Sequence, residues 1–147
     1  MWLIDTETYE LEAVPGPQGY KYAILSHTWR PSGEPSYQDM RRGITADPMF
    51  DKVKETCYIA KARGIRYAWV DTCCIDKTSS AELTEAINSM FRWYKQSAVC
   101  YAYLSDVDRG SDPSHTIENL SRSRWFTRGW TLQELIAPEH LVFYSAD

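Results

Sequence analysis

Polar and apolar positions alternate along the chain in two different periods, and the switches between them mark the elements. Trp2 to Ala13 reads as short extended pieces with a turn near Asp5 to Thr8, and VPGPQG (14–19) is a Pro/Gly loop. YKYAILSH (20–27) holds an apolar run, Tyr22 to Leu25, of a length that suits a buried strand. TWRPSGEPSYQDMRRGITADP (28–48), with three prolines, predicts a long polar loop. Asp47 before Pro48 is a helix start, and Phe50, Val53, Cys57 and Ala60 share one helical face up to the stop at Gly64. RYAWVD (66–71) is a second strand and TCCIDKTS (72–79) a loop. Ser79 and Glu82 have capping-box spacing, ahead of an apolar stripe at Leu83, Ile87, Met90, Phe91 and Tyr94. A strand AVCYAYL (98–104), a polar loop (105–123), a helix from Thr127 to Ile136 stopped by Pro138, and a strand LVFYS (141–145) complete the chain.

Strand, helix, strand, helix, strand, helix, strand is the order of an α/β fold. It predicts a parallel sheet with right-handed crossovers, helices on both faces and a short β segment at the N-terminus. The expected organisation is a single domain over residues 1–147, with 1–19 as its N-terminal extended segment and loop. In such sheets ligands bind outside the carboxyl ends of the strands. The residues at that edge are Ser26, His27, Thr28 and Trp29 after the first main strand, Asp71, Thr72, Cys73 and Cys74 after the second, and Ser105 and Asp106 after the third. The helix of 127–136 leaves the same edge, so Trp130 can overhang the crevice with Glu134 one turn on.

Composition narrows the classes. The aromatic share is 14%, with 6 Trp and 10 Tyr, more than a core alone requires, and points to a pocket or a protein interface as well. The net charge is −4, and the short cluster Arg122, Arg124 and Arg128 is broken by aromatics, so nucleic acid is not an expected partner. No apolar run reaches the roughly 20 residues of a membrane span. No signal-peptide pattern opens the chain, and the expected location is cytoplasmic. Four cysteines and three scattered histidines form no metal pattern, so no metal is expected, and the thiols are expected to be reduced and buried.

Familiar catalytic cradles are missing. No G-x-G-x-x-G follows the first strand, and neither a P-loop lysine nor a G-x-S-x-G elbow occurs. A hydrolase built from Cys73 or Cys74 with His27 can be drawn, against the alternative of structural thiols. Glu134 remains the candidate carboxylate. Its competing reading is a solvated helix residue paired with a nearby arginine. Trp125 and Trp130 compete between core and ligand wall, and Asp71 between a site and a turn cap.

"YAILSHTW", "WVDTCCIDK", "AELTEAINSMFRWYKQSAVCYAYLSDV" and "RWFTRGWTLQELIAP" resemble, in that order, the blocks of the fungal heterokaryon-incompatibility (HET) domain, from about Tyr22 to Ser145. The wording is most similar to HET domains at the N-terminus of NLR-type proteins with WD repeats. Arg30 departs from the glycine common after that tryptophan. The HET domain is in turn a remote relative of the TIR domain, whose flavodoxin-like sheet and W-x-x-x-E element look like AILSH, VDTCC and Trp130 to Glu134 here. The resemblance implies a cell-death effector that self-associates and cleaves NAD+ at the nicotinamide–ribose bond. Glu134 would then be catalytic, with Ser26, His27, Trp29, Asp71 and Trp130 binding the substrate. It implies no cofactor beyond NAD+ as substrate, a homo-oligomer, and fusion to or recruitment by an NLR-type receptor. The alternative is an interaction module that signals death by self-association without turnover.

Overall fold

In a computed structural model that describes residues 1–107 and 113–145, one six-stranded sheet organises the chain. Its strands are β1 (Trp2–Asp5), β2 (Leu11–Ala13), β3 (Tyr22–His27), β4 (Tyr67–Trp69), β5 (Val99–Leu104) and β6 (Leu141–Ser145), in the spatial order β2-β1-β4-β3-β5-β6. β3 runs parallel to β4 and β5, and β5 parallel to β6. Counted from β3, the parallel strands lie 2-1-3-4, a doubly wound order whose switch point falls between β3 and β5.

The N-terminal segment adds an antiparallel hairpin to this parallel core. Leu3 faces Glu12 across β1 and β2, and Ile4 of β1 faces Ala68 of β4. The turn forms where the sequence places it. The Asp5 carboxylate accepts from the Glu7 and Thr8 amides at 2.8 and 3.2 Å, and Tyr9 takes φ 61°.

Among the described residues, five α-helices connect the strands: α1 (Tyr37–Arg42), α2 (Asp51–Ala62), α3 (Ser80–Gln96), α4 (Pro113–Arg122) and α5 (Thr131–Ile136). α2 keeps its expected face, with Phe50, Val53, Cys57 and Ala60 all buried. Gly64, at φ 67°, makes the left-handed stop that a side chain would strain.

α1 corrects the reading of 28–48 as loop throughout. Ser36 and Asp39 form a reciprocal capping box, and buried Met40 anchors the turn. α4 likewise occupies part of the expected loop 105–123, of which residues 108–112 lie outside the described residues. The expected helix 127–136 is broken. A 3₁₀ turn covers Arg124–Thr127, Arg128 is extended, and α5 starts at Thr131. The face of α3 is also corrected: Ala86, Ser89, Trp93 and Tyr94 are buried, whereas Ile87 and Phe91 stay exposed. At its start only half of the box closes. Ser79 accepts from the Glu82 amide, but the Glu82 carboxylate takes the Asp76 amide instead of that of Ser79.

Strand periodicity fixes which helix meets which residue. Tyr22 donates to the Trp93 carbonyl of α3, so the even positions of β3 face α3 and α5. α2 packs over β3 and β4 on the opposite face. Among the described residues, no helix is long and apolar enough to cross a membrane.

Candidate functional site

Ser26 and His27 both end β3 at the switch point, but as consecutive strand residues they enter opposite faces. They therefore belong to two separate constellations. Ser26 meets Glu134; His27 meets Asp71 and Trp29.

The Glu134 site is built by a short irregular segment. Ser123, itself bonded to Asp106 at 2.7 Å, caps the 3₁₀ turn through the Trp125 amide. The turn drives Trp125 fully into a cluster with Ala102, Leu104 and Val107, edge-on to Phe126 and Phe143. Thr131 then bonds the Trp125 carbonyl at 2.5 Å and ties α5 to the turn. Glu134 lies one turn after Thr131 on the same buried face. The carboxylate is 3% exposed. Ser26 donates to its Oε2, and Trp125 Nε1 donates to Ser26 Oγ at 2.7 Å. Arg128 grips both oxygens, Nη1 to Oε2 at 3.1 Å and Nη2 to Oε1 at 3.2 Å. This bidentate fork is the strong form of a charge-assisted hydrogen bond.

Trp130 is 51% exposed and caps α5 without a side-chain bond, so the indole that reaches the carboxylate network is that of Trp125. Arg128 was missed as a site residue because its distance from Glu134 matches no helical spacing. Trp125 carried a usable signal, an indole that needs a partner once buried.

On the α2 face, Lys52 is buried, and its Nζ contacts Glu34, the Thr28 carbonyl at 2.9 Å and His27 Nδ1 at 3.2 Å. An ammonium has only donors, so Nδ1 accepts and the ring proton sits on Nε2. Nε2 donates to Asp71 Oδ1 at 2.9 Å, and Trp29 Nε1 donates to Asp71 Oδ2 at 3.0 Å. Lys77 stands 4.1 Å above the Trp29 ring. Burial pushes the Lys52 pKa down, against the opposing pull of Glu34. Asp71 is therefore a partner of His27 and Trp29 and not a turn cap. Arg30 donates to the Pro48 carbonyl at 2.8 Å and holds the loop over this network.

For Asp71, burial acts to raise the pKa, but the hydrogen bonds from His27 and Trp29 and the charge of Lys77 outweigh it and hold the group below the ordinary 3.8. A carboxyl with a lowered folded pKa stabilises the fold above its unfolded value, and the contribution is lost as pH falls through the folded one. The melting temperature of Asp71→Asn is expected to fall less steeply than that of the wild type between about pH 5 and pH 3. Asp5, Asp39 and Asp106, also lowered, keep part of the slope. Equal slopes in the two proteins, read by circular dichroism melts, refute this role for Asp71.

The cysteine alternative fares poorly. Cys73 and Cys74 are 0% and 2% exposed, and both ring nitrogens of His27 are engaged elsewhere. Burial pushes the Cys74 thiol up, away from the reactive thiolate. Among the described residues, no group of three His, Cys, Asp or Glu side chains could hold a metal. A cavity of about 550 Å³ lies on the α2 face, lined by Leu25, Lys52, Thr56, Tyr101, Tyr103 and Tyr144 among others, and Glu134 does not line it.

Fold and site together define an α/β domain with a buried, arginine-clamped carboxylate at the switch point of its sheet. The family described as "Heterokaryon incompatibility protein (HET)" matches residues 22–116, and the chain belongs to that family. It is 50% identical over 133 residues to the Podospora anserina protein called Vegetative incompatibility protein HET-E-1. The matched stretch covers 86% of this chain and 10% of that protein, so the chain spans about a tenth of its relative's length. No solved structure matches the chain.

Proposed function

We propose that the chain is a cell-death effector domain of fungal heterokaryon incompatibility that self-associates and then cleaves NAD+ at the nicotinamide–ribose bond through Glu134. The supporting observation is a carboxylate sequestered at the switch point and oriented by Ser26 and Arg128. Nicotinamide leaves as a neutral ring, because the electron pair of the breaking C1′–N bond returns to the pyridinium nitrogen. No acid is needed to protonate it, unlike an ordinary glycoside, which requires two carboxylates. One anionic glutamate suffices to stabilise the oxocarbenium-like ribose. Water then adds to C1′ and gives up its proton, leaving ADP-ribose.

Ser26 holds the carboxylate, and Trp130, half exposed one turn before it, is available as a wall for the nicotinamide or adenine ring. His27, Asp71 and Trp29 serve the adjoining edge, with Trp29 at 52% exposure offering a second aromatic face. The name of the Podospora relative supports the incompatibility role. Residence in the cytoplasm and fusion to or recruitment by an NLR-type receptor complete the reading.

A second reading, a self-associating module without turnover, draws on one observation. Phe91, Leu132 and Ile136 are 47%, 67% and 62% exposed, on two helices, α3 and α5, that pack together. Such apolar exposure suits a protein interface. Nicotinamide release from NAD+ by concentrated protein separates the readings. Wild type and Cys73→Ala/Cys74→Ala are expected to release it, and Glu134→Ala to lose about 10²- to 10³-fold in rate. No release from assembled wild type refutes the enzyme; cell killing that survives Glu134→Ala favours the module.

A further inference from the structure

The Glu134 site is closed as it stands. Three contacts occupy the carboxylate, and it is 3% exposed, with Arg128 lying over it at 21% side-chain exposure. A ribose cannot reach Glu134 until the guanidinium moves. The segment that carries Arg128 suits such a movement. It is three residues long, Arg128 is extended, and the space a side chain would fill at Gly129 is empty within 4 Å. Of the backbone bonds that close it, Thr131 N to Arg128 O and Glu134 N to Trp130 O are long at 3.4 Å, and Gln133 N to Trp130 O is 3.2 Å.

Charge decides what can open it. Removing Arg128 alone would leave a buried carboxylate uncompensated, which is strongly unfavourable. A ligand must therefore bring a cation for Glu134 and an anion for Arg128 together. We propose that Arg128 is a latch and a specificity determinant: a substrate diphosphate draws it off Glu134, and the substrate's own positive centre replaces it there. This inference rests on the NAD+ reading and deepens it. One internal ion pair is exchanged for two with the ligand, so neither Glu134 nor Arg128 is left uncompensated, and the second charge of the diphosphate stays with solvent. A guanidinium is suited to this because its planar fork fits carboxylate and phosphate oxygens equally well. The exchange favours a cationic pyridinium nucleotide with a diphosphate over its neutral, reduced form and over the bare nucleoside.

Carba-NAD+, which keeps the diphosphate and the pyridinium cation but cannot be cleaved, is the probe for the latch. It is expected to bind the wild type, to bind Arg128→Ala about ten- to a hundredfold more weakly, and Arg128→Lys in between. Its binding is also expected to shift the Glu134 carboxyl carbon resonance, assigned by its loss in Glu134→Gln. Should alanine unfold the chain, Arg128→Lys keeps the charge and removes the fork. In turnover, the preference for NAD+ over nicotinamide riboside is expected to fall by a similar factor in either variant. Equal carba-NAD+ binding by wild type and both variants, or an unmoved Glu134 resonance, overturns the latch. If carba-NAD+ binds through Arg128 and moves Glu134 while NAD+ releases no nicotinamide, the latch stands and the NAD+ cleavage reading fails.

Discussion

Trp125→Ala is expected to destabilise the domain by about 3–5 kcal/mol, the usual cost of emptying a fully buried aromatic site. Trp125 is 0% exposed and packs edge-on against Phe126 at 4.9 Å and Phe143 at 5.6 Å. Alanine removes those contacts and leaves a void between the 3₁₀ turn and β5–β6. The loss is also polar. Trp125 Nε1 donates to Ser26 Oγ, and the Ser26 hydroxyl donates in turn to Glu134 Oε2, so each donor polarises the next. Domains of this size are stable by only about 5–15 kcal/mol, so the variant should lose roughly a fifth or more of the total. The melting temperature is expected to drop on the order of 10 °C. Trp125→Phe keeps the ring and drops the N–H, and should cost about 1–3 kcal/mol. A Trp125→Ala melt within two degrees of wild type shows that the indole is not the keystone of this site.

The contrast between buried Trp125 and half-exposed Trp130 shows where sequence reasoning reaches. Patterns that act over a turn or a strand were legible: the stop at Gly64, the helix start at Asp47–Pro48, and the runs that became β3, β5 and β6. α1 carried its own signal in Ser36 and Asp39, hidden among prolines that favour a loop reading. The face of α3 was misread because its apolar positions circle most of the helix. The sheet selects Trp93 and Tyr94 and leaves Ile87 and Phe91 outside, a choice made by packing and not by propensity. The site was half legible. The edge rule found Ser26, His27, Asp71 and Glu134, yet the period of two sends Ser26 and His27 to different faces. The competing reading of Glu134 is a solvated residue pairing with an arginine. Glu134 does pair with one, but buried, because Ser26 lies 108 positions away in sequence and only the folded sheet brings it close.

Lys52→Ala is expected to cost about 3–5 kcal/mol, as breaking a buried ion pair from one side does. Lys52 and Glu34 have side chains 3% and 5% exposed, so alanine strands a carboxylate out of water. It also orphans the Thr28 carbonyl and His27 Nδ1, which frees the imidazole that orients Asp71. Glu34 keeps one donor, the Arg30 amide at 2.8 Å, which offsets only part of the loss. The double variant Lys52→Met/Glu34→Gln removes both charges and fills the space, and should recover most of the stability. The pair is thus expected to be strongly non-additive, with an interaction energy on the order of 1–3 kcal/mol between two sites in direct contact. Urea denaturation of Lys52→Met, Glu34→Gln and the double variant gives this number directly. Additive costs would mean that Lys52 and Glu34 act separately, and that the network on the α2 face is held by His27 and Asp71 alone.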